Sequence, residues 1–107
     1  MPQIILKNLS EKKVEGLALR LSRRVARIID VPVGHIVIER ADTTLYRNGQ
    51  KDELCAMAWV SWKKRSPEMQ QKVSRAIADI LFEEGYERAE VIFENLDMSD
   101  FYEYEKE

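Results

Sequence analysis

Apolar and polar positions along this chain follow two rhythms, and each rhythm occurs in both halves. Pro2 to Lys7 is a short strand with Ile4, Ile5 and Leu6 at its apolar centre. Asn8 and Ser10 are helix-start residues. From Glu11 to about Ile29 the apolar residues Val14, Leu17, Leu21, Val25 and Ile28 recur in steps of three and four, which makes one helical face. The stretch Asp30-Val31-Pro32-Val33-Gly34 ends that helix, because proline cannot continue the hydrogen-bond ladder. A second strand is expected over His35–Ala41, and Asn48-Gly49 within the polar segment 42–53 signals a tight turn. Leu54–Trp62 is a third strand, apolar on both faces. Ala56, Ala58, Val60 and Trp62 form one face, and Cys55, Met57 and Trp59 the other. Ser66-Pro67 opens a second helix, with Met69, Val73, Ala76, Ile77, Ile80 and Leu81 on its apolar face and Gly85 as its stop. Ala89–Leu96 is the fourth strand.

The order is β-α-β, hairpin, β-α-β, within a single domain over 1–107. The repeats span about 2–41 and 54–96, joined by the hairpin linker 42–53. Each repeat should be a right-handed crossover. The expected fold class is α+β in two layers: a four-stranded mixed sheet with both helices on one face. A third strand that is apolar on both sides leaves the second face of the sheet to be covered by another subunit. Periodicity is compatible with a ferredoxin-like sandwich, a frequent host of dimeric regulatory modules, and with a tautomerase fold.

Composition narrows the function. Hydrophobic residues are 45% and charged residues 34% of the chain, which suits a packed soluble domain. The formal charge is −2, from 17 basic and 19 acidic side chains, so no global pull toward nucleic acid or an anionic membrane is expected. The arginines of the first helix read as a solvated face. With Cys55 the sole cysteine, no intrachain disulfide can form, and the expected location is cytoplasmic. One histidine and one cysteine give no zinc-ligand spacing, so no metal and no cofactor are expected. No apolar run is long enough to span a membrane.

Pro2 is the first candidate for chemistry. A small second residue favours removal of Met1, which would leave Pro2 with a free secondary amine. An α-amino group titrates at about 8 in water. Burial lowers that value, so an amine in an apolar pocket can be neutral near pH 7 and act as a base.

Three stretches resemble the tautomerase superfamily of 4-oxalocrotonate tautomerase and macrophage migration inhibitory factor. They are Met1-Pro2-Gln3-Ile4; Ile28-Ile29-Asp30-Val31-Pro32 followed by Ile36-Val37-Ile38-Glu39; and Lys64-Arg65-Ser66-Pro67-Glu68 leading into Gln71-Lys72-Val73. Nearly the whole chain is similar to a small bacterial family of two-repeat tautomerase-like proteins, through the Met-Pro start, Glu39, Trp62, Arg65 and Asn95-Leu96. The resemblance implies a homotrimer and a cofactor-free keto-enol tautomerase or isomerase acting on a small keto or enol acid. Pro2 would be the general base. Arg65 would bind the substrate carboxylate, with Arg40 and Glu39 as further substrate-binding candidates. Val37 stands approximately where those enzymes carry a second arginine. The alternative is a non-catalytic trimer that binds a small acid or a protein partner.

Other residues read more plainly. Trp59 and Trp62 suit a core or an interface, and His35 opens a strand at the surface. Cys55 falls near the second-repeat counterpart of Pro2, where an internal residue has no free amine. The tail Phe101-Tyr102-Glu103-Tyr104 suggests aromatic packing against the domain or an adjacent subunit.

Overall fold

Ser10 and Ser66 each open a helix. Their hydroxyls accept hydrogen bonds from the backbone N–H of Lys13 and of Met69, both at 3.2 Å, satisfying donors that a helix start leaves free. The structure is a computed structural model that describes residues 1–107. Helix α1 runs Glu11–Ile29 and α2 Pro67–Glu83. Asp30 ends α1 in a left-handed conformation (φ 56°), its N–H returning to the Ala26 carbonyl. The stop therefore precedes Pro32. After α2, Gly85 supplies φ 99°, and the N–H of Tyr86 reaches the Leu81 carbonyl at 3.2 Å.

Six strands accompany the helices: β1 Gln3–Lys7, β2 Val37–Ala41, β3 Tyr46–Arg47, β4 Gln50–Lys51, β5 Cys55–Lys63 and β6 Arg88–Leu96. Four of them form one sheet in the order β2-β1-β5-β6. The outer pairs β1–β2 and β5–β6 are parallel, and the central pair β1–β5 is antiparallel. Each repeat is thus a parallel pair bridged by its helix, and the two repeats meet head to tail. The Asn48-Gly49 turn, with both residues at positive φ, closes β3 on β4 as a separate two-stranded ribbon.

Strand boundaries shift from the sequence pattern by one residue at β1, β5 and β6 and by two at β2. The second strand begins at Val37, because Val33–His35 form a 3-10 turn in which the His35 N–H bonds the Pro32 carbonyl at 2.9 Å. His35 therefore sits in a surface turn ahead of the strand.

The core lies between the helices and one sheet face. Ile4 and Leu6 of β1, and Ala56, Ala58, Val60 and Trp62 of β5, are fully buried against Leu17, Leu21 and Val25 of α1 and Val73, Ile77 and Ile80 of α2. The alanines let the helices approach the central strand. On the opposite sheet face the register sets Ile5, Trp59 and Ile92 in one half-buried row. Polar pairs flank that row: Gln3 Nε2 donates to Glu39 Oε1 at 2.9 Å, and Ser61 Oγ to Glu94 Oε1 at 3.1 Å. The Lys7 ammonium lies 5.3 Å from the Trp59 ring centre. No helix is long and apolar enough to cross a membrane.

Candidate active site

The antiparallel register pairs Gln3 with Ser61, so one step further brings Pro2 beside Trp62; on the other side, Trp62 pairs with Asn95. Pro2, Trp62 and Asn95 thus form a row across one end of the sheet, on the side that faces the helices. Pro2 and Trp62 are both completely buried. The Pro2 carbonyl accepts the Val37 N–H at 3.1 Å, which ties the chain start to the edge strand.

Trp62 is held by its polar tip and its ring. Its Nε1 donates to Asn95 Oδ1 at 3.1 Å, and its ring lies 4.9 Å from that of Phe93. Arg65, two residues beyond β5, stacks its guanidinium 5.0 Å from the Trp62 ring centre. Its Nη1 donates to the Lys63 carbonyl at 2.9 Å, and no carboxylate lies within 4.0 Å of it. Burial pushes the Arg65 guanidinium below its ordinary value. A half-buried cation without a counter-charge, held beside an aromatic ring, is equipped to receive a planar carboxylate.

A recess of about 370 Å³ opens beside the chain start, lined by Met1, Gln3, Gly34, His35, Val37 and Phe101, with Glu103 at its rim. It lies on the edge-strand side, where Gln3 is bonded to Glu39.

The structure brings the sequence candidates together only in part. Pro2 and Arg65 both neighbour Trp62. Glu39 sits on the opposite sheet face, tied to Gln3. Arg40 pairs with Leu6 in the register, roughly 13 Å along β1 from Pro2 at about 3.3 Å per residue. There its Nε donates to the Leu9 carbonyl at 2.9 Å, and its Nη2 lies 3.2 Å from Asp42 Oδ1. Arg40 thus serves the far end of the sheet. Cys55 is also at that end and is buried. Desolvation, with nearby Glu90 adding to it, pushes its thiol above the ordinary range. No three His, Cys, Asp or Glu side chains gather in a metal-binding cluster. Asn95 and Phe93, which orient Trp62, carry no sequence signal of that role beyond the alternation of β6. Only the strand register reveals it.

Comparison with known proteins adds a family to this geometry. The family model described as Domain of unknown function (DUF1904) matches residues 1–107. The chain belongs to the DUF1904 family. A solved DUF1904 structure from Sebaldella termitidis is 21% identical, covering 96% of this chain and 95% of that one with a TM-score of 0.84. The macrophage migration inhibitory factor-like protein of Entamoeba histolytica is 12% identical, covering 96% and 95%, with a TM-score of 0.81. A fused 4-OT, solved as an asymmetric trimer, is 12% identical, covering 94% and 90%, with a TM-score of 0.71. No curated protein matches the sequence. At these identities the likeness is one of fold: this DUF1904 chain has the tautomerase fold of two β-α-β repeats.

Proposed function

We propose that, once Met1 is removed, this protein is a cofactor-free keto-enol tautomerase or isomerase of a small keto or enol acid, with Pro2 as general base. The observation that carries this reading is the common neighbour of Pro2 and Arg65, the buried Trp62. A secondary amine in that apolar setting has its protonated form disfavoured by burial. Neutral at pH 7, it takes a proton from the carbon beside a carbonyl and returns it elsewhere on the substrate. Arg65 binds the substrate carboxylate and steadies the enolate charge. The tautomerase fold of the neighbours supports the reading at the level of scaffold.

The working assembly is a homotrimer. Its support is the Ile5–Trp59–Ile92 row on the helix-free face, too apolar for a face left in water, and a fused 4-OT of the same fold that is an asymmetric trimer. One observation favours a second reading, a binding-only trimer: the Pro2 ring is fully buried, which leaves a substrate little access to its nitrogen.

The test is a titration of the Pro2 nitrogen by NMR on protein whose mass confirms loss of Met1. The expected value is near 6 to 7, where a base is poised for neutral pH. A value of about 8, that of a free α-amino group, would set the catalytic reading aside in favour of the binding one.

A further inference from the structure

The end of the sheet opposite Pro2 carries a recess of its own. About 400 Å³ in volume, it lies between the start of α1, the end of β2 and the loop before β5. That size falls within the range of small-molecule sites. Three cations from three separate segments reach it: Lys13 of α1, Arg40 of β2 and Lys51 of β4.

The manner in which these cations are held is the informative point. Lys13 is half-buried, yet its Nζ donates to a neutral carbonyl, that of Glu84 at 2.8 Å, and lies 4.5 Å from the Tyr86 ring centre. Arg40 is also half-buried and also spends its Nε on a carbonyl, that of Leu9. Its one carboxylate contact, Asp42, has a side chain that is 89% exposed. Lys51 has no carboxylate within 4.0 Å. Of the two acids on the rim, Asp52 is committed to Arg47 Nε at 2.8 Å and to the Leu54 N–H at 3.2 Å, and only Glu53 is free of a partner. Half-buried charges normally sit beside a counter-charge, because taking an ion out of water is costly. Here carbonyl oxygens take part of that role and leave donors on both cations unspent.

We propose that this recess binds a compact oxyanion, a carboxylate or a phosphate, between Lys13 and Arg40, with Lys51 and Thr44 also on its lining. The site is separate from the Pro2 end and does not depend on any chemistry there.

The experiment is a ¹H–¹⁵N NMR titration of the intact protein with inorganic phosphate and, separately, with succinate. Saturable shifts confined to the amides of Asn8–Lys13 and Thr43–Leu45 are expected, distinct from any at Lys64–Glu68 near Arg65. Saturation by phosphate alone assigns a phosphoryl ligand, by succinate alone a carboxylate, and by both an oxyanion site without further choice; all three support the site. Lys13→Gln and Arg40→Lys should each weaken binding by about tenfold, the effect of one charge-assisted contact. Lys51→Gln, a change on an exposed hairpin that does not threaten folding, should weaken it less, while Lys106→Gln should leave it unchanged. Shifts that never saturate, an affinity unaltered in both Lys13→Gln and Lys51→Gln, or an equal loss in Lys106→Gln would overturn the proposal.

Discussion

The two ends of the central strand pair are built alike and furnished differently. Because β1 and β5 are antiparallel neighbours, the start of each lies beside the end of the other, where a serine-capped helix begins. At one end the start is Pro2, and the neighbouring groups are Trp62 and Arg65. At the other end the start is Cys55, and the neighbouring residue is Asn8. Asn8 Nδ2 donates to the carbonyls of Asp52 and Cys55, both at 2.7 Å, while its Oδ1 accepts the Leu45 N–H at 3.3 Å. One end is apolar and aromatic with a single unpaired arginine. The other is polar, cross-linked by one amide and rimmed by cations. The difference at Cys55 follows from the segment that precedes it. An internal strand start carries a connecting segment, and that segment's backbone must be hydrogen-bonded. A repeated scaffold therefore does not imply repeated chemistry.

The strongest way to break this comparison is to alter the two strand starts. Pro2→Ala should lower keto-enol turnover by about 10²- to 10⁴-fold, the usual loss for a positioned base, with the oligomer mass unchanged. Cys55→Ala should leave turnover unaltered; an equal loss in both would mean that the two ends act as one site. Next in size, Trp62→Ala should cost about 3–5 kcal/mol in urea unfolding, as for a large core aromatic. It should also remove the platform beneath Arg65. Asn8→Ala should cost about 2–3 kcal/mol, since it strands two carbonyls and an N–H and places alanine at φ 70°.

Smaller effects sharpen the contrast between the arginines. Arg65→Ala should weaken carboxylate substrate by about tenfold in KM, the worth of one charged contact. Arg40→Ala should leave that KM unmoved, because Arg40 bonds to Leu9 and Asp42 at the other end. The smallest is a pH effect. Burial raises the Cys55 thiol, so the folded state favours the neutral form. Its contribution to stability is complete below the unfolded value of about 8.5 and is lost as pH rises through the folded value. Denaturant midpoints measured across that alkaline window should fall less steeply in Cys55→Ala than in the parent.

Much of this architecture is legible in the residues. The step pattern of Leu17, Leu21 and Val25 names the face of α1 that is buried, and Ser10, Ser66 and Pro67 mark the helix starts. The double-sided apolarity of β5 announces a sheet face that the helices do not cover. The candidate sites were less legible. Arg40 stands one residue after Glu39, and the two point to opposite faces of β2, which separates them as partners. Nothing in the local pattern shows that Lys13 and Arg40 open on one recess, or that Asn95 holds the ring on which Arg65 rests.

The elements, their order and the apolar side of each follow from periods of two and of three to four acting over a few neighbouring residues. Which polar groups meet depends on the packed whole. Trp62 joins Asn95 and Arg65, and Lys13 joins Arg40, through strand register and helix placement. Those are set by packing the whole core at once, since a one-residue slip in register would turn the strand side chains Trp62, Asn95 and Arg40 to the other face.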